Sequence, residues 1–171
     1  MGSVGLDDIP SGSLCVVDTN VLLYAEQGLS TQSRRLLRRV ADGELLALLP
    51  QPVWQELAHK LMLAEAMMLG KISGPNPAKK LAAQPAVIKG LRLYRDKLHA
   101  LMSLGIGFEP CSREDLLGSA LDLQEKYGLL VTDSVVLAVA IRMKADALAT
   151  ADRSFERVTE IPIASPTDLQ P

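Results

Sequence analysis

The chain has 171 residues, of which 48% are hydrophobic and 22% charged, and its formal net charge is −2. This length suits one domain with a sizeable core. The charge balance argues against a protein held to nucleic acid by overall positive charge, although a local basic face is compatible with it. No apolar stretch is long enough to span a membrane, and the N-terminus lacks the pattern of a secretory signal. Two lone cysteines predict no disulfide framework and a reducing, cytoplasmic location.

Short apolar runs alternate with amphipathic stretches, a pattern typical of a parallel sheet covered by helices. We expect a flexible tail at 1–12 and then a single domain at 13–171. The predicted strands are 14–17, 45–49, 106–111, 147–149 and an edge strand at 161–164. The predicted helices are 31–41, 52–69, 87–101 and 132–144, together with one that follows a capping box at 112–115 and ends near 127. A proline-containing loop or lid is predicted at 70–85.

The spacing of apolar residues also predicts which helix faces are buried. In helix 31–41, Leu36, Leu37 and Val40 face inward, and the outward face is basic, with Arg34, Arg35, Arg38 and Arg39. The inward stripe of helix 52–69 is Trp54, Leu57, Leu61, Ala64 and Met68, which makes Trp54 a core residue. Helix 87–101 carries Lys89, Arg92 and Arg95 away from its apolar stripe, and Lys79 and Lys80 lie in the loop before it.

Asp18 follows the first predicted strand directly, and Thr19 and Asn20 come next. In open α/β sheets, ligands bind beyond the carboxyl ends of the strands. A carboxylate flanked by a hydroxyl and an amide suits a hard cation there. The alternative is that Asp18 only caps the following helix, since Asp, Thr and Asn are all favoured N-cap residues.

Three more acids have comparable positions. Asp152 follows the strand 147–149 with a hydroxyl residue, Thr150, before it. Asp133 heads the core-facing stripe of the most apolar helix, where an unpaired carboxylate is costly. Glu56 lies near the start of its helix, on the boundary of the buried face. Each also has a simpler interpretation as a turn, cap or helix-dipole residue.

If these acids converge, their mutual repulsion requires a cation. Oxygen ligands favour Mg²⁺ or Mn²⁺, and the scarcity of His and Cys disfavours zinc. Hydrated divalent metals held by acids are suited to phosphodiester hydrolysis.

These motifs resemble the PIN-domain ribonuclease family, which includes the toxins of VapBC-type toxin–antitoxin pairs. The matching stretches are 16–22, Glu56, 133–140 and 148–155, in the family's order. The resemblance implies a Rossmann-like three-layer α/β/α sandwich with a central parallel sheet. It also implies metal-dependent endonucleolytic cleavage of single-stranded RNA, an antitoxin partner and a homodimer.

Carried over by position, the acidic quartet consists of Asp18, Glu56, Asp133 and Asp152, which would bind one or two metal ions. Asn20 and Thr150 would orient carboxylates or metal-bound water. Attack by a metal-activated water predicts 5′-phosphate and 3′-hydroxyl products, with Glu56 or Asp152 accepting the proton.

Three alternatives compete with this interpretation. A haloacid-dehalogenase-like phosphatase requires a second acid two residues after the first, where this chain has Asn20. A dinucleotide-binding protein requires a glycine-rich first turn, which is absent from the sequence after the first strand. A non-catalytic PIN-like scaffold that binds RNA or protein remains the alternative from a different class.

Overall fold

A computed structural model describes residues 4–169. Six strands form one sheet in which every neighbouring pair is parallel. In chain order the strands are β1 (Val4–Gly5), β2 (Leu14–Val17), β3 (Leu46–Pro50), β4 (Gly107–Glu109), β5 (Ala147–Ala149) and β6 (Ile163–Ser165). Across the sheet their order is β1-β6-β5-β2-β3-β4.

Eight α-helices occur within residues 4–169. They are α1 (Thr19–Gln27), α2 (Thr31–Ala41), α3 (Gln51–Met68), α4 (Pro77–Ala82), α5 (Pro85–Gly90), α6 (Leu93–Met102), α7 (Ala120–Tyr127) and α8 (Val131–Arg142). A π-helical turn, Asp115–Ser119, precedes α7. The central strands β2 and β5 are buried on both faces, as expected for a parallel sheet covered by helices on either side. The predicted α/β sandwich is therefore confirmed.

Several elements begin and end where the sequence predicts. Strands β2 and β5 and helix α2 have the expected bounds. Helix α2 begins after Ser30, whose hydroxyl accepts a hydrogen bond of 2.9 Å from the backbone N–H of Ser33. It ends before Gly43, whose φ of 73° suits glycine. In α2 the outward position of Arg39 is wrong in part, because Arg39 Nη2 donates to the carbonyl of Ile9 over 2.7 Å.

The predicted flexible tail at 1–12 is wrong for the residues after position 3. Val4 and Gly5 pair with Ala164 and Ser165 of β6. Leu6 and Ile9 are buried in the main core. This pairing also makes β1 the edge strand, so β6 is an interior strand rather than the predicted edge. A two-residue strand is too short for an apolar alternation to reveal it.

The proline-containing loop and the helix after it also differ from prediction. The segment 70–85 contains the short helix α4, and the single helix predicted at 87–101 is two helices, α5 and α6. Ile72, Leu81 and Leu91 form a second apolar cluster with Ala66 of α3. The segment is therefore packed against α3 and is not a free lid.

Glu65 of α3 explains the break between α5 and α6. Its carboxylate accepts backbone hydrogen bonds of 2.8 Å from Arg92, 3.1 Å from Leu93 and 2.8 Å from Tyr94. It thereby satisfies the free N–H groups at the start of α6. Burial tends to raise the pKa of Glu65, but these three donors lower it below its usual value.

The buried face of α3 is rotated from the predicted stripe. The buried row is Val53, Leu57, Leu61 and Glu65. Trp54 is 37% exposed and Met68 is 67% exposed, so the assignment of Trp54 to the core is wrong. The buried row includes Glu65, and a search for apolar residues at helical spacing does not count an acid as buried. Among residues 4–169, no helix combines the length and apolar character needed to cross a membrane.

Candidate active site

The candidate site lies at the carboxyl edge of the sheet, between β2 and β5. From β2 the chain moves to β3 and β4 on one side, and later returns to β5 and β6 on the other. The order of strands thus reverses between β2 and β5, which is where open α/β sheets form a ligand crevice. Asp18 follows β2 and Asp152 lies shortly after β5.

Asp18 both caps α1 and faces the crevice. Its Oδ1 accepts a hydrogen bond of 2.7 Å from the backbone N–H of Thr19. Its Oδ2 accepts from Asn20 Nδ2 at 2.8 Å and from Thr150 Oγ1 at 2.7 Å. Burial raises the pKa of Asp18, and the negative charges of Glu56 and Asp152 add to that effect, while the Thr150 and Thr19 donors oppose it.

Asn20 and Thr150 join the ends of β2 and β5. The backbone N–H of Ala151 donates to Asn20 Oδ1 at 2.9 Å, and the N–H of Asp152 donates to Thr150 Oγ1 at 3.0 Å. Thr150 is fully buried. The predicted orienting residues therefore both contact Asp18 and fix the backbone that leads to Asp152.

Asp152 is exposed and caps the short 3₁₀ turn Arg153–Arg157. Its Oδ1 accepts a hydrogen bond of 2.8 Å from the N–H of Ser154. Because the cap engages Oδ1, the local turn sets the direction of this carboxylate.

Glu56 is held by two donors on different elements. The buried hydroxyl of Thr19 donates to Glu56 Oε2 at 2.8 Å, and Lys60 Nζ lies 2.6 Å from Glu56 Oε1. Burial tends to raise the pKa of Glu56, but the hydrogen bonds from Lys60 and Thr19 and the charge of Lys60 lower it. Lys60 did not figure among the predicted site residues. Its spacing of four residues from Glu56 on one helix was the available signal.

Asp133 lies half-buried in the first turn of α8. Burial raises its pKa from 3.8 to about 6, and the negative charges of Asp152, Asp18 and Glu56 contribute to the rise. The four predicted acids are therefore close enough to repel one another. Neutralising a charge at this edge of the sheet would relieve that repulsion.

The four carboxylates are not gathered into a ready-made set of metal ligands. Within the described part of the chain, no three His, Cys, Asp or Glu side chains are grouped so that they could hold a metal ion. Three of the four carboxylates are instead held by local donors. Asp18 is engaged by Thr19, Asn20 and Thr150, Glu56 by Thr19 and Lys60, and Asp152 by its own turn.

Several of the predicted basic residues have local partners. Arg35 pairs with Asp7 at 3.0 Å, Arg39 pairs with Glu44 at 2.9 Å, and Lys80 contacts the carbonyl of Ser73. Arg34 and Arg38 line a groove between α1, α2, α3 and α6.

The fold is that of an α/β domain with acidic side chains at the edge of the sheet where open α/β sheets bind ligands. A sequence profile of the PIN domain matches residues 15–161. The chain therefore belongs to the PIN domain family, whose members are generally nucleases.

Solved structures show the same fold. One is a crystal structure of VapBC2 from Rickettsia felis bound to a DNA fragment from the VapBC2 promoter. The matched chain is 16% identical to this one, the alignment covers 90% of this chain and 98% of that chain, and the TM-score is 0.59. A toxin–antitoxin complex from Klebsiella pneumoniae is also 16% identical, covering 86% of this chain and 94% of that chain, with a TM-score of 0.54. A search of curated proteins found no match.

Proposed function

We propose that this protein is a metal-dependent endoribonuclease that cleaves single-stranded RNA and acts as the toxin of a toxin–antitoxin pair. The observation that carries the proposal is that Thr150 joins Asp18 to the strand end leading to Asp152 where the strand order reverses. Burial and the negative charges of Asp152, Asp18 and Glu56 raise the pKa of Asp133 at the same edge of the sheet. Such a concentration of negative charge is unfavourable for folding alone. It is suited to binding a divalent cation.

The side chains fit Mg²⁺ or Mn²⁺ in their chemistry, since all four acids offer oxygen ligands and the crevice has no thiolate or imidazole among the predicted ligands. Asp18 and Asp133 would bind the metal directly, and Glu56 and Asp152 would bind it or a second ion through water. A bound metal would lower the pKa of a water molecule and stabilise the charge on the phosphate.

The protein's own groups would prepare that chemistry. Asn20 and Thr150 hold Asp18 by hydrogen bonds to Oδ2. Glu56 has a lowered pKa and so stays ionised, which suits an oxygen ligand for a cation, and it is one of the two candidates to accept a proton from the attacking water. Asp152 is the other candidate acceptor. We expect products with a 5′-phosphate and a 3′-hydroxyl.

The proposed binding site for an antitoxin is an apolar groove between the helices α1, α2, α3 and α6. The groove measures about 390 Å³ and includes Leu22, Leu37, Leu57, Leu61 and Leu101 among its lining residues. Arg34 and Arg38 lie at this groove, and Lys97 pairs with Glu26 there. Apolar lining with excess positive charge suits an acidic amphipathic segment. Two similar solved structures are of toxin–antitoxin proteins, which supports such a partner.

A homodimer is supported by a self-complementary row near α7. Leu117 and Leu121 are 65% and 52% exposed. Arg113, four residues before Leu117, and Glu125, four residues after Leu121, are also exposed. If two copies of this row pack antiparallel, the leucines meet and each Arg113 faces the other copy's Glu125. Such symmetry is what a two-fold interface requires.

The free thiols of Cys15 and Cys111 support a cytoplasmic location.

The direct test is cleavage of an end-labelled single-stranded RNA with Mg²⁺ or Mn²⁺. We expect cleavage by the wild type that is abolished by EDTA and falls at least about 100-fold in Asp18→Asn. Asp122→Asn, on the exposed face of α7, is the matched control and should retain activity. Cleavage that survives EDTA would contradict the proposal. RNA binding without cleavage would instead favour the non-catalytic scaffold.

A further inference from the structure

A groove between α3 and α6 is lined by aromatic and basic side chains, including Trp54, which the predicted apolar stripe of α3 had assigned to the core. It measures about 280 Å³ and is lined by Trp54, Ala58, Tyr94, Arg95, Leu98, His99 and Met102. Two lining side chains are aromatic, Arg95 is cationic, and none is a carboxylate. This composition differs from the acidic crevice and from the leucine-rich groove beside α2.

The aromatic and cationic groups of this groove are accessible. Trp54 is 37% exposed, although it lies next to the buried row that contains Val53 and Leu57. The Arg95 guanidinium lies 5.6 Å from the centre of the Tyr94 ring, and its Nε donates a hydrogen bond of 3.1 Å to the Tyr94 hydroxyl. Arg95 is therefore held at the groove by its neighbour.

We propose that this groove binds a base of single-stranded RNA, stacked against Trp54, with the adjoining phosphate contacted by Arg95 and His99. Stacking on aromatic side chains combined with positive charge is how proteins bind single strands without reading their sequence. The choice of RNA rests on the proposed nuclease function.

The charge of the groove favours a nucleic acid over a peptide segment. Arg95 and His99 are its only ionisable lining groups besides the Tyr94 phenol. Exposed Arg92 adds a further cation at the start of α6. An apolar peptide would leave the exposed charge of Arg95 without a counterion, whereas a phosphate group would pair with it and accept a hydrogen bond from the His99 imidazole.

The position of the groove relates it to the acidic crevice. Trp54 and Glu56 belong to the same turn of α3, separated by about 3 Å of rise along the helix axis. They lie on different sides of the helix. The groove would thus hold a nucleotide outside the cleavage site on a strand that crosses the beginning of α3.

Trp54 is the only tryptophan in the chain, so its fluorescence reports on this groove directly. The experiment titrates the full-length protein with a short single-stranded oligouridylate in EDTA, where cleavage does not interfere. We expect quenching of Trp54 fluorescence. We also expect affinity to fall about tenfold in Arg95→Gln, as for loss of one stacked or cationic contact.

Arg35→Gln is the matched control, because it removes an exposed arginine from α2, on a different surface, and should leave affinity unchanged. Trp54→Phe and Trp54→Ala, measured by anisotropy of labelled RNA, separate stacking from folding. The Phe variant should bind as the wild type does and the Ala variant about tenfold more weakly. Circular dichroism checks that both are folded.

The absence of quenching, or equal affinity of the Ala variant and the wild type, would overturn the groove proposal. Quenching by an acidic apolar peptide in place of RNA would also overturn it. Because the titration needs neither metal nor turnover, a protein that quenches with RNA but never cleaves it would refute the nuclease proposal alone.

Discussion

Thr150 Oγ1 donates a hydrogen bond of 2.7 Å to Asp18 Oδ2, joining the carboxyl ends of two neighbouring strands at the point where the strand order reverses. The same hydroxyl accepts the backbone N–H of Asp152 at 3.0 Å. One buried side chain thus determines both the direction of the first acid and the path of the chain to the last one.

Thr150→Val should shift the pH dependence of cleavage. The hydroxyl stabilises the ionised form of Asp18, so its removal raises a pKa that burial already raises. The pH at which activity is half-maximal on the acid side should therefore move upward, and stability should fall by about 1–2 kcal/mol. Thr150→Ser, which keeps the hydroxyl, is the control. A Val variant with an unshifted profile would show that this hydrogen bond does not tune Asp18.

Asp133→Asn should stabilise the protein while reducing its activity. The pKa of Asp133 is about 6 in the folded state against an ordinary 3.8. The folded state therefore holds a proton that the unfolded state has released, and this group's contribution to stability declines as pH rises between those values. At pH 7 the variant should gain about 1–2 kcal/mol, after allowance for partial exposure.

Thermal melting across pH measures this effect, and Asp122→Asn serves as a control without it. A melting temperature that is lower in Asp133→Asn than in the wild type at pH 7 would contradict the electrostatic origin of the pKa shift.

The parts of this fold that the sequence predicts are those where one pattern determines the outcome. Leu14–Val17 and Ala147–Ala149 are short apolar runs followed by an acid, and both are strands in the buried centre of the sheet. Because parallel strands end on the same side, Asp18 and Asp152 were expected at one edge, and the family resemblance added Asp133 from the start of a helix.

The misplaced parts depend on long-range pairing. Val4 is in a strand only because Ala164 lies beside it, and nothing near Val4 in the sequence indicates this. The apolar spacing from Val87 through Leu91 predicts one continuous helix. The chain breaks there into two helices because Glu65, on another helix, accepts hydrogen bonds from the start of the second one. Lys60 belongs to the site because it pairs with Glu56. From the sequence alone this is an ordinary surface ion pair on a helix, unless Glu56 has already been assigned to the crevice.

Mg²⁺ or Mn²⁺ should raise the melting temperature of the protein by relieving the repulsion among its acids. A ligand that binds only the folded state at about 100 times its Kd stabilises it by about 2.7 kcal/mol. We expect that Asp18→Asn loses most of this shift and Asp122→Asn keeps it. An equal shift in all three proteins would mean that the ion binds away from the crevice.

Glu65→Ala should destabilise the protein more than substitution of an exposed acid does. Glu65 is buried and accepts three backbone hydrogen bonds from the start of α6, so its loss leaves the N–H groups of Arg92, Leu93 and Tyr94 without a partner. We expect a loss of about 3 kcal/mol, since hydrogen bonds to a charged group contribute more than neutral ones. Glu156→Ala, on the exposed turn after β5, should change stability little.

The pH dependence separates this capping role from simple loss of packing. Because the pKa of Glu65 is lowered in the folded state, its contribution is present above its ordinary value of 4.5 and is lost as pH falls through the folded value. The wild type and Glu65→Gln should therefore differ in stability at pH 7 and converge in acid. Since Tyr94 and Arg95 follow directly from this cap, Glu65→Ala should also reduce the RNA-dependent quenching of Trp54. A variant with unchanged quenching would show that the groove forms without the anchored end of α6.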